Sequence, residues 1–121
     1  MSYTVLIADD SKFSRRMLKK SFPEGWDINI IEVSNGKEAL EKGETEDVDI
    51  LFLDLTMPEL DGFCVLQSLK ESDSNCKIIV ISADVQLKAI ETCKELGALA
   101  FVPKPHGKEK LQETLENLGL L

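Results

Sequence analysis

The 121-residue chain carries 22 acidic against 14 basic side chains, for a net charge of −8, and is 43% hydrophobic but only 6% aromatic. A chain of this length fits one domain that buries about 68% of its unfolded surface. The acidic balance disfavours an extended nucleic-acid contact, because phosphate would be repelled, and no apolar stretch approaches the ~20 residues of a membrane helix. Cys64, Cys76 and Cys93 are odd in number and lack C-x-x-C spacing, so they read as reduced, buried or half-buried thiols of a reducing compartment. The N-terminus runs straight into a strand-like segment with no signal-peptide pattern, and a cytoplasmic location is expected.

In chain order, the apolar run Thr4 to Ala8 leads into a helix over Ser11 to Phe22, where Phe13, Met17 and Leu18 recur at helical spacing and Pro23, Glu24 and Gly25 form the stop. A second strand, about Asn29 to Val33, precedes the turn Ser34-Asn35-Gly36, which starts a short helix through Ala39 and Leu40. Ile50 to Leu53 is a third strand, followed by a loop with Pro58 and a helix from Gly62 to Lys70. Lys77 to Ala83 is a β-branched strand, Val85 to Leu96 a helix closed by Gly97, Ala100 to Pro103 a fifth strand and Glu109 to Leu118 a last helix. Buried, non-alternating strands alternating with helices predict an α/β domain with a parallel, right-handed, doubly wound sheet spanning residues 1–121.

Four of the apolar runs end in polar residues. These are Asp9 and Asp10, then Asp54, Ser82 and Lys104. In a parallel sheet the C-terminal strand ends gather at one edge, where open α/β sheets place their ligands, so three carboxylates, a hydroxyl and an ammonium are expected in one pocket. Adjacent carboxylates oppose each other's ionisation unless a cation lies between them, and a hard divalent ion takes oxygen ligands. Read locally, Asp9-Asp10 is instead a helix N-cap with an acidic first turn, Asp54 a loop-starting cap and Ser82 a cap of the next helix.

With Asp9-Asp10-Ser11, Leu53-Asp54-Leu55-Thr56-Met57-Pro58-Glu59-Leu60-Asp61-Gly62, Ser82-Ala83 and Lys104-Pro105 in order at strand ends, the chain resembles the response-regulator receiver domain of two-component signalling, in particular a stand-alone, chemotaxis-type regulator. The resemblance implies a flavodoxin-like (βα)5 fold with strand order 2-1-3-4-5, consistent with Pro103, whose missing N–H an edge strand tolerates. It implies Mg2+ (or Mn2+) held directly by Asp10 and Asp54, by Asp9 mainly through a water, and by the backbone carbonyl of Thr56. Asp54 is then the phosphoacceptor, Lys104 the cation for the phosphoryl oxygens, Ser82 the switch hydroxyl with the Ala83 N–H beside it, and Phe101 the aromatic that changes rotamer. Thr56, Ala83 and Asp84 are expected to set the phosphoryl lifetime, and Lys104-Pro105 to be cis. His106 stands where the family often has Phe and is expected as a solvated loop residue.

The function so implied is to take a phosphoryl group from a histidine kinase, phosphotransfer protein or small phosphodonor, switch shape, bind a downstream protein through Val85 to Leu96, Phe101 and Glu109 to Leu118, and lose the group by hydrolysis, with a phosphatase as a further partner. Membrane and nucleic acid are not expected partners. A haloacid-dehalogenase-type hydrolase also uses an Asp nucleophile, Mg2+ and a Lys, but it wants a second Asp where this chain has Thr56. A degenerate receiver would lack one of these side chains, and none is missing.

Overall fold

The computed structural model describes residues 2–121, and five parallel strands form one sheet in the order β2-β1-β3-β4-β5. The elements are β1 Tyr3–Ala8, α1 Lys12–Ser21, β2 Ile28–Val33, α2 Gly36–Thr45, β3 Ile50–Leu53, α3 Gly62–Glu71, β4 Lys77–Ser82, α4 Leu87–Glu95, β5 Ala100–Pro103 and α5 Lys108–Asn117. Register is continuous across the middle of the sheet, with Ala8 beside Val33 and Leu53, Leu53 beside Val80, and Ser82 beside Pro103. The three inner strands read as unbroken apolar runs because helices cover both faces, and Val5 to Ala8 and Ile50 to Leu53 are all buried.

The sheet divides the interior in two. Leu6, Ala8, Leu51, Leu53, Ile78 and Val80 pack on one side with Val65, Leu66, Leu69 and Cys93. Val5, Ile7, Ile50, Phe52, Ile79 and Ile81 pack on the other with Leu18, Phe22, Leu111 and Leu115. At the end of the sheet away from the strand C-termini, Trp26 meets Phe22 edge-on at 5.1 Å between ring centroids and donates its indole N–H to the Leu120 carbonyl at 3.1 Å.

Helix boundaries follow local chemistry. The Ser11 hydroxyl accepts from the Ser14 N–H at 3.1 Å and Asn35 Oδ1 from the Glu38 N–H at 2.8 Å, the two caps that start α1 and α2. The α2 helix runs to Thr45, well past the expected end near Leu40, because Glu41, Lys42 and Glu44 are good helix formers on its solvent side. The α4 helix starts two residues later than expected, because the Gln86 N–H turns back to Asp84 Oδ1 at 3.2 Å. Gly97, at φ +100°, ends it in the left-handed region.

Two glycines set how closely the β3–α3 loop packs. A Cβ on Gly36 would fall on the Leu60 carbonyl, 2.7 Å from its carbon, and one on Gly62 would fall 2.7 Å from the Leu55 Cα, against the Asp54 carbonyl. Cys93 is buried and Cys76 half-buried as expected, with burial pushing the Cys76 thiol up to about 12, but Cys64 is exposed. Its helix turns Val65, Leu66 and Leu69 inward and leaves Cys64 on the outer face.

Candidate functional site

The sheet ladder brings the acidic residues together. The Asp9 N–H donates to the Val33 carbonyl at 3.2 Å and the Asp54 N–H to the Ala8 carbonyl at 3.0 Å, so both carboxylates leave the sheet at one edge. Asp9 is 7% and Asp54 8% exposed, whereas Asp10 faces solvent. One carboxylate oxygen from each of the three lies within 4.8 Å of the others. An all-oxygen, acidic donor set suits a hard divalent cation such as Mg2+ or Mn2+.

Lys104 closes the cluster from β5. Its backbone N–H donates to the Ser82 carbonyl at 2.8 Å, which fixes the chain after the strand. The ammonium donates to Asp9 Oδ2 at 2.7 Å and to the Ser14 hydroxyl at 3.4 Å, and lies 3.6 Å from Asp54 Oδ2. Lys104-Pro105 is cis. One cation against three carboxylates leaves the pocket negative. Asp54 accepts from the Leu55 N–H at 2.9 Å, yet in the metal-free protein its carboxyl sits above the usual range: burial raises it most, Lys104 opposes, and Asp9 adds to the rise.

Ser82 is 2% exposed, and its hydroxyl accepts from the Asp84 N–H at 3.1 Å. The cap reading for Ser82 is thereby excluded, since α4 is flanked by Gln86 with no side-chain cap. Thr56 and Ala83 are exposed and Asp84 half-buried around the same edge. Phe101 is partly buried against the core on the α2–α3–α4 side.

Three features escaped the sequence reading. Arg15 Nη1 donates to the Asp9 carbonyl at 2.6 Å while its Nε pairs with Glu32 at 3.0 Å, tying α1 to the acidic pair and to β2. Ser14 and Arg15 lie one turn beyond Ser11, and that spacing was the available signal. His106 is not a solvated loop residue. It is half-buried, and its Nδ1 is sealed from solvent without a hydrogen-bond partner. Burial, with Lys104 adding to it, holds its pKa below the ordinary histidine value, and the ring is neutral at neutral pH. It lines an apolar crevice of about 400 Å3 between α1 and the β5–α5 loop, whose mouth also carries Phe13 and Met17. These two side chains are 67% and 41% exposed, so only Leu18 of the α1 stripe enters the core.

A 2-1-3-4-5 parallel sheet with a carboxylate cluster and a lysine at its C-terminal edge defines a doubly wound α/β domain with its polar residues gathered where such sheets place their ligands. The model of the response regulator receiver domain family matches residues 5–116. The chain is 36% identical over 120 residues to the chemotaxis protein CheY of Thermotoga maritima, covering 98% of this chain and 99% of that one. It is 32% identical over 115 residues to that of Bacillus subtilis, covering 95% and 96%. Among solved structures, the CheX–CheY–BeF3–Mg complex from Borrelia burgdorferi matches with a TM-score of 0.88 at 33% identity, over 98% of this chain and 90% of that one. The protein belongs to the response regulator receiver domain family, signalling modules of two-component systems, and is of the CheY type. No helix among the described residues is long and apolar enough to cross a membrane.

Proposed function

We propose that the protein is a phosphorylation-controlled cytoplasmic switch: Asp54 takes a phosphoryl group from a histidine kinase or phosphotransfer protein, the domain changes its packing and binds a downstream protein, and hydrolysis resets it. The observation that carries this reading is the convergence of Asp9, Asp10 and Asp54 within 4.8 Å, with the Lys104 ammonium between Asp9 and Asp54.

Asp54 Oδ attacks phosphorus, the bond to the donor breaks, and the electron pair leaves with the donor group. Asp10, Asp54 and the Thr56 carbonyl would hold Mg2+ directly and Asp9 through a water; bound there, the ion offsets the charge of the carboxylates and of the incoming anion. Lys104 moves from Asp9 to the phosphoryl oxygens by rotation of its own flexible chain. The Ser82 hydroxyl turns from the Asp84 N–H toward the phosphoryl group, which opens space for the Phe101 ring. The two packings are in equilibrium, and the phosphoryl group favours the one in which it gains these contacts. Thr56, Ala83 and Asp84 border the approach of hydrolytic water.

Incubation with acetyl phosphate and Mg2+ should add one phosphoryl group by intact mass, and chelation of the ion should prevent it. A protein that binds Mg2+ at the cluster yet gains no mass would rule the reading out. Amide chemical shifts of the Mg2+ form and of a beryllofluoride-bound form should differ across residues 85–118, with the differences reduced in Phe101→Ala. Differences confined to the loops around Asp10, Asp54 and Lys104 would exclude that face as the output surface.

A further inference from the structure

We propose that Arg15 and Glu32 form a strut that positions Asp10 for the divalent cation, Arg15 acting through the backbone of Asp9 and Glu32 acting through Arg15. The inference rests on the acidic cluster being the Mg2+ site of a phosphoacceptor, and deepens that reading by naming the residues that set the direction of its exposed ligand.

The two members of the acidic pair are held differently. Asp9 is buried and bonded at every polar group. Its N–H donates to the Val33 carbonyl at 3.2 Å, its Oδ1 accepts from the Ser11 N–H at 2.9 Å, its Oδ2 from Lys104 at 2.7 Å and its carbonyl from Arg15 Nη1 at 2.6 Å. The Asp10 side chain faces solvent and, among the described residues, no donor or cation holds it, although its carboxylate belongs to the cluster. Its placement therefore comes from the main chain. A peptide unit is planar from one Cα to the next, so the Arg15 bond to the Asp9 oxygen orients the plane that ends at the Asp10 Cα. The Ser11 N–H bond orients the plane that begins there. With both planes fixed, the Asp10 Cβ direction is set before a cation arrives.

Arg15 can act this way because its own position is fixed twice. The planar guanidinium presents its donors at set angles, with Nη1 on the Asp9 oxygen and Nε on Glu32 Oε1 at 3.0 Å, while Glu32 Oε2 accepts from Lys19 at 2.9 Å. Glu32 stands beside Ile7 in the register of edge strand β2, so the strut joins α1, β1 and β2. Hydrogen bonding from Lys19, then from Arg15, keeps the Glu32 carboxyl below the usual range against the opposing effect of burial, and the group is ionised at neutral pH. Pairs on a carboxylate that is 34% exposed add little stability. Their effect here is on placement. Glu32 also offsets the guanidinium charge, which alone would oppose a cation at the neighbouring carboxylates.

The strut matters most when the site is loaded. Movement of Lys104 to the phosphoryl oxygens removes the 2.7 Å bond from Asp9 Oδ2, whereas the Arg15 bond is made to the main chain and does not depend on it.

Charge and placement predict opposite signs. Removing a cation near three carboxylates should tighten Mg2+ binding by charge alone, and removing the strut should loosen it. Calorimetry on the intact protein should show Arg15→Gln binding Mg2+ about tenfold more weakly than the wild type, the lower end of the range for groups that orient a metal ligand from behind. Arg16→Gln takes an exposed cation from the same helix and should not weaken binding. Arg15→Lys keeps the charge but cannot reach both acceptors, and should weaken binding severalfold; it carries the comparison if urea unfolding shows that Arg15→Gln does not fold. Glu32→Gln should add no further loss in the Arg15→Gln background. In the metal-free protein the amide signals of Asp10 and Ser11 should move in Arg15→Gln and stay in place in Arg16→Gln. Labelling of Arg15→Gln by acetyl phosphate should need about tenfold more Mg2+ for its half-maximal rate and still reach the wild-type maximum. Unchanged or tighter Mg2+ binding in the Arg15 variants, or a lower maximal rate at unchanged affinity, would overturn the inference and leave the phosphoacceptor reading intact. A further loss from Glu32→Gln in the Arg15→Gln background would overturn the part assigned to Glu32. A wild type that binds no Mg2+ would remove both readings.

Discussion

Asp54→Asn should abolish phosphorylation by every donor and, at neutral pH, should make the metal-free protein more stable than the wild type. Loss of labelling follows because the amide has no carboxylate oxygen to attack phosphorus, and residual labelling at the wild-type rate would place the acceptor elsewhere. The stability gain follows from linkage. Burial, with Asp9 adding to it and Lys104 opposing, lifts the Asp54 carboxyl above the usual range. The folded protein therefore binds that proton more tightly than the unfolded chain. The ionised group opposes folding above its folded pKa, and the penalty fades as pH falls toward the ordinary Asp value of about 3.9. Asn keeps the shape and removes the charge, while Lys104 retains its 2.7 Å bond to Asp9. Urea unfolding in chelator should give a higher midpoint for the variant at pH 7 and a difference that shrinks toward pH 4. A variant less stable at pH 7 would contradict the burial argument. Saturating Mg2+ should narrow the gap from the other side by stabilising the wild type.

The second large effect concerns the two glycines. In Gly36→Ala the new methyl would overlap the Leu60 carbonyl, and in Gly62→Ala the backbone of Asp54 and Leu55. The obstructing atoms are main chain, which relaxes far less readily than the tip of a side chain, so each substitution should cost about 1–3 kcal/mol by urea unfolding. The Gly62 N–H donates to the Leu55 carbonyl at 2.9 Å. A displaced Gly62 therefore moves the loop that carries Thr56, and Mg2+ affinity by calorimetry should fall with stability. Gly107→Ala, with nothing within 4 Å of the added carbon, is the control: as a change at the α5 N-cap it should cost under about 1 kcal/mol and leave Mg2+ affinity unchanged.

Where residues are dictated by burial on both faces, the sequence was easy to read. Ile50 to Leu53 and Ala100 to Pro103 have the bounds expected, and the polar residues that end the strands meet at one edge because parallel strands of similar length finish together. Patterns that depend on a neighbour were harder. Phe13, Met17 and Leu18 share a helical period, but periodicity marks an apolar stripe without saying whether another element reaches it, and α5 covers only part of α1. His106 lies in a loop as expected but is not solvated, because its partial burial comes from the fold of the β5–α5 loop against the crevice, which no local spacing encodes. The α2 helix outlasted its apolar pattern because exposed Glu and Lys extend a helix without contributing to the stripe.

The partition of the interior by the sheet has a mechanical consequence. Phe101 belongs to the compartment shared with α2, α3 and α4, whereas Leu18 of α1 belongs to the other. Five strands of hydrogen-bonded backbone stand between them as a stiff diaphragm. On the proposed switch, rotation of the Phe101 ring would be absorbed by side-chain adjustments in its own compartment, while Arg15 ties α1 to Asp9 and Glu32 from the other side. The proposed output face therefore straddles the wall: Phe101 and α4 lie across the sheet from α1, while α5 shares the α1 compartment through Leu111 and Leu115.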